Sequence, residues 1–549
     1  MRSSDRIVIA IRGWVEREDF EKLIRIGRYL GKRGGESLFE IDLNRLTSAL
    51  SSGAVKPDEV LDIVEGYEAR FIEGSMQDLE RVLEEASPRV VVRRVGAEII
   101  IEPKTFLGDL VKDLREDGLL RYDKGRRVFV AKPMHLFEVV RRLRTRGVVV
   151  EDETGIVPRR DLPQKLEFRG TLRPYQEEAL KAWRGNGFRG VISLPTGAGK
   201  TIVAIAAMAE LSVWTLVVTF TKEQMFQWRD KILEFTNAPR TMIGLFYGEE
   251  KRVAPITVTT YQSAFRYIDT LYPHFSFLIV DEVHHLPAEK FRYIAEHSSA
   301  IYRMGLSATV VREDGKHIEL FPLMGGLVYH KSAQELAEEG YLARFTVIPI
   351  KVSLDPDERE KYLRLLSAFK RLSRGLPFEQ LLELAKRGDR DAIEALKIRT
   401  ELRMLVHNAR AKIEAVKRIV REELARGSKI LIFTQYVEQA KRIAKELGAP
   451  YITGDVDEAA RRARLEAFRE AKSGVLVLTT VGDEGIDIPD ANVGIIVAGT
   501  GSRRQFLQRL GRLLRPAPGK EARLYEIIVK DTFEESESRR RRKVILSMM

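Results

Sequence analysis

The segment that most restricts the fold is GVISLPTGAGKTIVAIAAMAEL, residues 190–211. A short apolar run ends in a glycine-rich loop, and an apolar helix pattern follows at once. Strand, loop and helix in that order form an anion cradle: loop amides and the helix N-terminus converge on phosphate oxygens. Gly197 and Gly199 keep Cβ atoms out of the path, and Pro195, Thr196 and Ala198 complete the loop. Lys200 offers a point charge for β- and γ-phosphates, and Thr201 a hydroxyl for Mg²⁺. The strict pattern has glycine at the first loop position, where this chain has Leu194. ATP and Mg²⁺ are the ligands this segment predicts.

A second segment completes that chemistry. SFLIVDEVHH is an apolar strand ending in Asp281 and Glu282. It delivers two carboxylates to the C-terminal edge of a sheet, where open α/β sheets bind ligands. Asp281 is expected to hold Mg²⁺, and Glu282 to polarise the attacking water. His284 is placed to link this edge to a neighbouring strand, whereas His285 reads as a local hydrogen-bonding histidine. LSATVVRED supplies Ser307 and Thr309, whose hydroxyls can bond the carboxylate segment. Upstream, LRPYQEEAL places Arg173 and Gln176 before a helix, and a Gln amide can read both edges of adenine.

Apolar, β-branched runs separated by turns recur in two stretches, as parallel strands buried on both faces do. The first, 190–352, holds GVISLP, TLVVTF, ITVTTY, FLIVDE and TVIPIKV; the second, 412–530, holds KILIFTQ, GVLVLTT, VGIIVAG and RLYEIIV. The expected fold is therefore α/β, with two tandem parallel-sheet lobes, an inserted helical segment and an N-terminal α+β accessory region. The expected boundaries are 1–88, an accessory region of unknown role; 89–165, a second accessory domain plus linker; 166–354, the first lobe; 355–410, the amphipathic helical segment between the lobes; and 411–549, the second lobe. Within 1–165, a repeated strand-then-helix rhythm raises the expectation of a degenerate tandem repeat. The basic end, SRRRRKVI, reads as a solvated tail.

Composition supports a polyanionic partner. Lys plus Arg number 92 against 80 Asp plus Glu, a net charge of +12. The chain has no cysteine, which excludes disulfides, iron–sulfur clusters and thiolate zinc sites. No run of about 18 apolar residues is present, so a membrane-free cytoplasmic protein is expected. High charge without cysteine also fits a thermophile.

In the second lobe, TTVGDEGIDIP leads into SRRQFLQRLGRLLRP, which sets Gln508, Arg512 and Arg515 at helical spacing. The pair Arg512 and Arg515 reads as arginine fingers reaching across a cleft to the γ-phosphate. PTGAGKT, VTFTKEQMFQW, VTTYQSA, DEVHH, LSAT, ILIFTQY, TTVGDEGIDIP and QRLGRLLRP, in this order, resemble the motif set of superfamily 2 helicases. DEVHHLPA and SATVVREDG are most similar to the XPB/Rad25 branch in its archaeal form.

That resemblance implies two tandem RecA-like lobes with 355–410 as a helical thumb, and a DNA-dependent ATPase of 3′→5′ polarity that opens or tracks duplex in nucleotide excision repair. It implies a nucleoid-associated protein, DNA junctions as substrate and a Bax1-type nuclease as partner. It places Gly485 and Asp487 at the nucleotide, and Thr219, Thr221, Thr259, Thr260 and Thr479 at the DNA backbone. It makes Arg312, Glu313 and Asp314 a wedge at the junction of paired and unpaired strands, and 89–152 a damage-recognition domain.

Two rivals remain at this stage. A duplex-tracking translocase of a restriction or remodelling system would share both lobes. A restriction subunit should also bring a nuclease centre, and the nearest candidate is Glu98 and Glu102-Pro103-Lys104 with Asp58 upstream. Its spacing is long, and strand-edge charges explain it more simply. A non-enzymatic scaffold with a degenerate motor conflicts with the presence of Lys200, Thr201, Asp281, Glu282, Arg512 and Arg515.

Overall fold

A computed structural model describes residues 6–195, 197–308, 316–341, 344–479, 491–498 and 521–546. Among the described residues the strands form four sheets. The first holds β1 (Ile7–Arg12), β2 (Gly27–Arg33), β3 (Glu36–Ile41) and β4 (Arg70–Glu73) in the order β2-β3-β1-β4. The second holds β5 (Arg89–Val95), β6 (Glu98–Pro103), β7 (Arg121–Asp123), β8 (Val128–Ala131) and β9 (Val149–Asp152) in the order β7-β8-β6-β5-β9. The pairs in the first sheet are antiparallel, whereas β9 joins β5 in parallel in the second. The two orders differ, so the strand-then-helix rhythm is not a tandem repeat. Alternating apolar positions reveal half-buried strands, but not how they pair.

The third sheet is wholly parallel. It holds β10 (Arg189–Ser193), β11 (Thr215–Thr219), β12 (Ile243–Phe246), β13 (Ile256–Thr260), β14 (Phe277–Asp281), β15 (Tyr302–Ser307) and β16 (Leu327–His330), in the order β12-β13-β11-β14-β15-β10-β16. Its central strands are buried along their length, as helices on both faces require. The fourth sheet is parallel too, with β17 (Arg344–Val352), β18 (Lys429–Thr434), β19 (Tyr451–Ile452), β20 (Gly474–Thr479), β21 (Val493–Ile496) and β22 (Glu521–Val529). Its order is β17-β22-β21-β18-β20-β19.

One expectation is corrected here. TVIPIKV lies in β17, which belongs to the second lobe: it pairs with β22 from Arg344↔Glu521 to Val352↔Val529. Its hydrogen-bond partner lies far along the chain, which neighbouring sequence does not reveal. The three helices that follow, Pro356–Ser373, Phe378–Lys386 and Arg390–His407, are therefore an insertion within the second lobe and do not separate the lobes. The basic C-terminal segment lies on the helix Phe533–Leu546.

The second small sheet is packed against the first lobe. Val90, Val92, Ile99 and Ile101 share one apolar core with Leu271, Tyr272 and Leu278. Tyr272 Oη donates to the Gly96 carbonyl at 3.1 Å, and Lys132 pairs with Glu296 at 2.8 Å. Two of the three arginines of the basic helix Leu136–Arg144 are neutralised locally: Arg142 meets Glu138 and Asp117, and Arg141 meets Glu138. Among the described residues, no helix is long and apolar enough to cross a membrane.

Candidate active site

β10 ends in buried Ser193 and Leu194, and the loop is pinned from both sides. Leu194 N donates to the Ser307 carbonyl at 3.0 Å, which ties the loop to the end of β15. Tyr175 Oη and Gln176 Nε2 both donate to the Ala198 carbonyl, at 2.8 and 2.9 Å. Gly197 and Gly199 have φ of 87° and 76°, the left-handed region that disfavours a Cβ. At Gly199 a Cβ would also stand 2.5 Å from Gln176 Nε2. Gln176 is thus a brace of the loop. Its amide nitrogen holds Ala198 and its oxygen accepts from Arg173 N at 2.9 Å. Both of its adenine-reading edges are engaged within the protein, and the Arg173 guanidinium donates to the Tyr341 carbonyl at 3.3 Å.

Gly199 caps the helix Lys200–Leu211, whose first residues are Lys200 and Thr201. Lys200 Nζ donates to the Leu194 carbonyl at 2.9 Å and to that of Pro195 at 3.3 Å, so the ammonium lies inside the loop. Burial pushes its pKa below the usual lysine range, against the opposing charges of Glu282 and Asp281. β14 and β10 flank β15 as parallel strands of one sheet, so the carboxylates and the loop stand at the same C-terminal edge.

Asp281 closes β14 with each oxygen held by one donor. Trp228 Nε1 donates to Oδ2 at 2.8 Å, and Glu282 N donates to Oδ1 at 2.9 Å. Glu282 turns the chain through φ 50°, a left-handed conformation that is costly for a residue with a Cβ. Tyr261 Oη donates to the carbonyls of Asp281 and Glu282, each at 3.2 Å. His284 Nδ1 lies 2.8 Å from Ser307 Oγ and 3.3 Å from Glu282 Oε2, which joins the carboxylate segment to β15 as expected. His285 does more than a local hydrogen bond would. Its ring stacks on Phe220 with centroids 4.1 Å apart, connecting this turn to the loop after β11.

Trp228 and Tyr261 were not singled out by sequence. The available signal was an indole N–H and a phenol O–H within apolar helix patterns, which need acceptors when buried. Trp228 is 2% exposed and Tyr261 is fully buried.

The expected DNA-contacting threonines are placed differently. Thr219 and Thr259 are fully buried, and their hydroxyls donate to the carbonyls of Thr259 and Phe246, at 3.1 and 2.6 Å. Thr479 is 2% exposed at the end of β20. These three threonines are buried in this structure, and their contact with the DNA backbone is what the family resemblance implies. At the ends of parallel strands, threonine is first a sheet residue. Thr221 and Thr260 cap the helices Lys222–Phe235 and Tyr261–Leu271 by accepting from Gln224 N and Ser263 N. Thr196, Thr309, Arg312, Glu313, Asp314, Gly485, Asp487, Gln508, Arg512 and Arg515 lie outside the described residues.

The nuclease alternative finds no assembled centre. Glu98 pairs with Arg126 at 3.1 Å, Glu102 with Lys104 at 2.6 Å, and Asp58 lies on the separate helix Pro57–Gly66.

Comparisons with known proteins agree with this geometry. Residues 169–312 match the family model described as type III restriction enzyme, res subunit. Residues 393–548 match the one described as ERCC3/RAD25/XPB C-terminal helicase. The "DNA 3'-5' translocase XPB2" of Sulfurisphaera tokodaii is 42% identical over 380 residues, 68% of this chain and 84% of that protein. The chain belongs to the XPB/Rad25 family of DNA helicases. The "DNA 3'-5' helicase XPB" of Kineococcus radiotolerans is 33% identical over 385 residues, 68% of this chain and 62% of its own length. The "General transcription and DNA repair factor IIH helicase/translocase subunit XPB" of Schizosaccharomyces pombe is 30% identical over 397 residues, 68% of this chain and 45% of that protein. Membership of this family makes the chain a DNA-dependent ATPase and helicase.

Proposed function

We propose that this XPB/Rad25-family chain hydrolyses ATP to open or track duplex DNA in the 3′→5′ direction, in nucleotide excision repair. One observation carries the reading. The loop lysine and the two carboxylates share one sheet edge, with Asp281 oriented by Trp228 and Glu282 set by its left-handed turn.

The donor set suits Mg²⁺. Thr201 and Asp281 offer hard oxygen ligands, and among the described residues no group of three or more His, Cys, Asp or Glu forms a closed metal cage. An open site is what a cation shared with substrate phosphates requires. When bound, Mg²⁺ supplies charge neutralisation at the β- and γ-phosphate oxygens. Lys200 holds the same phosphates from within the loop. Glu282 orients water and takes its proton, while His284 relays the position of Glu282 to Ser307 and β15. Arg512 and Arg515 act as fingers from the second lobe, Gln508 orients the site, and Gly485 and Asp487 contact the nucleotide. Arg173 and Gln176 serve the adenine side once Gln176 exchanges its present partners.

On the DNA side, Thr221 and Thr260 approach the backbone at helix N-termini, and Arg312, Glu313 and Asp314 form the wedge. Residues 89–152 provide damage recognition, and the thumb grips the strand. A Bax1-type nuclease partner and a nucleoid location rest on family resemblance alone.

The test is ATP turnover by the full chain with single-stranded, duplex, forked and bubble DNA. Stimulation strongest with forks or bubbles, and absent in Lys200→Ala, is expected. Equal, negligible turnover under all conditions would sink the reading. Stimulation by plain duplex without strand separation would instead favour a pure duplex tracker.

A further inference from the structure

The second lobe holds a charged cluster that the nucleotide site does not use. Lys412, on the helix Arg410–Ala425, is fully buried. Its ammonium donates to the Val497 carbonyl and to Glu534 Oε1, both at 2.6 Å. Glu534 lies on the helix Phe533–Leu546 and is 4% exposed; its other oxygen accepts from Val529 N at 2.9 Å. His407, the last residue of the last thumb helix, sets Nδ1 3.0 Å from the same carboxylate. The His407 carbonyl accepts from Gln439 Nε2 at 2.5 Å, and Gln439 is bonded in turn to Thr434 at the end of β18. Close by, Arg403 of the thumb pairs with Glu537 at 2.8 Å. Tyr362, Leu402 and Val406 of the thumb share an apolar core with Val529 of β22.

Three elements therefore meet at one ion pair: the base of the thumb, the C-terminal helix and the exit of β21. That exit matters because Val497 and Ala498 directly precede the segment 499–520, which carries Gln508, Arg512 and Arg515. Val497 N also donates to the Phe433 carbonyl at 3.0 Å, so sheet and ammonium hold this residue from both sides.

Stability alone does not account for the cluster. Removing two ions from water costs several kcal/mol each, and well-packed apolar replacements commonly do as well or better. What a lysine provides, and a methionine does not, is a directed bond to one backbone carbonyl.

We propose that Lys412 and Glu534 are positioning residues for ATP hydrolysis, tying the thumb to the strand exit that launches the arginine-bearing segment. The inference rests on the DNA-stimulated ATPase reading above.

The experiment uses the full chain with forked DNA and compares wild type, Lys412→Met and Lys412→Met/Glu534→Met. Melting temperature, DNA affinity, KM for ATP, and kcat with and without DNA are measured. The double variant removes both charges together and is expected to melt near wild type. Its DNA affinity and KM for ATP should stay within about twofold, while its DNA stimulation of kcat falls about tenfold or more, as misplaced catalytic groups do. A folded double variant with full stimulation would overturn the proposal and leave the pair a packing device. If neither variant folds, Glu534→Gln decides. It keeps the shape and the bond from Val529: reduced stimulation with intact DNA binding supports the proposal, and unchanged stimulation refutes it. Absence of stimulation in wild type would refute the ATPase reading itself, a separate result.

Discussion

In the first parallel sheet the charged groups stand at the C-terminal edge of the strands. Lys200 lines a loop, and the Glu282 side chain keeps 15% of its surface. In the second sheet a lysine and a glutamate of similar kind are shut in completely, with Lys412 at 0% and Glu534 at 5% side-chain exposure. The same residue types thus meet different requirements. At the edge, the groups stand at strand ends beside the glycine loop, where neighbours such as Trp228 orient them. In the interior, each is matched by protein partners, and the product is a fixed geometry. One sheet presents chemistry, and the other holds the parts that must move together.

The strongest way to break this contrast is at the exposed edge. Glu282→Gln keeps the backbone turn but removes the base. Steady-state turnover should fall about 10³-fold while nucleotide binding survives, the scale expected for loss of a general base. A small change would show that Glu282 only shapes the loop. Next in size is Trp228→Phe, which deletes a donor to Asp281 Oδ2. Titrating Mg²⁺ against turnover should show about 10–100-fold weaker apparent metal affinity with the fold intact, as when an orienting partner is lost.

The buried side of the comparison is tested by acid. Glu423 is fully buried in the second lobe; desolvation alone would raise its pKa. Hydrogen bonds from Arg523, Tyr525 and Ser428 prevail and hold it down to about 2. A depressed carboxylate stabilises the fold above its unfolded pKa of about 4.3, and that contribution is lost as pH falls through the folded value. Melting temperature should therefore drop across roughly pH 4.5 to 2. Glu423→Gln should melt lower at neutral pH and show a flatter acid limb. An identical acid limb would mean that other carboxylates govern it.

The smallest effect is expected at Thr259. Thr259→Val removes a buried hydroxyl bonded to the Phe246 carbonyl. It should cost about 1 kcal/mol by chemical denaturation and leave DNA affinity unchanged. A clear loss of DNA affinity would support the phosphate-contact role that the family resemblance implies.

Legibility in the sequence followed locality. The loop from Leu194 to Thr201, the strand into Asp281 and Glu282, and the two α/β textures were readable because each depends on neighbours along the chain. The placement of TVIPIKV was misread because β17 is completed by β22, roughly 170 residues on. The burial of Thr219, Thr259 and Thr479 was silent because a motif position says nothing about burial. The roles of Trp228 and of the Lys412–Glu534 pair were silent for a related reason: their partners come from other helices and strands.

By itself, then, the sequence determined that a phosphate loop and two carboxylates end parallel strands, because backbone propensity and apolar patterning act over a few residues. Only the tertiary structure decided which sheet takes β17, which hydroxyls are spent inside the sheets and which charges are sealed at the foot of the thumb. Those outcomes depend on hydrogen-bond partners and burial, and both are properties of distant segments brought together.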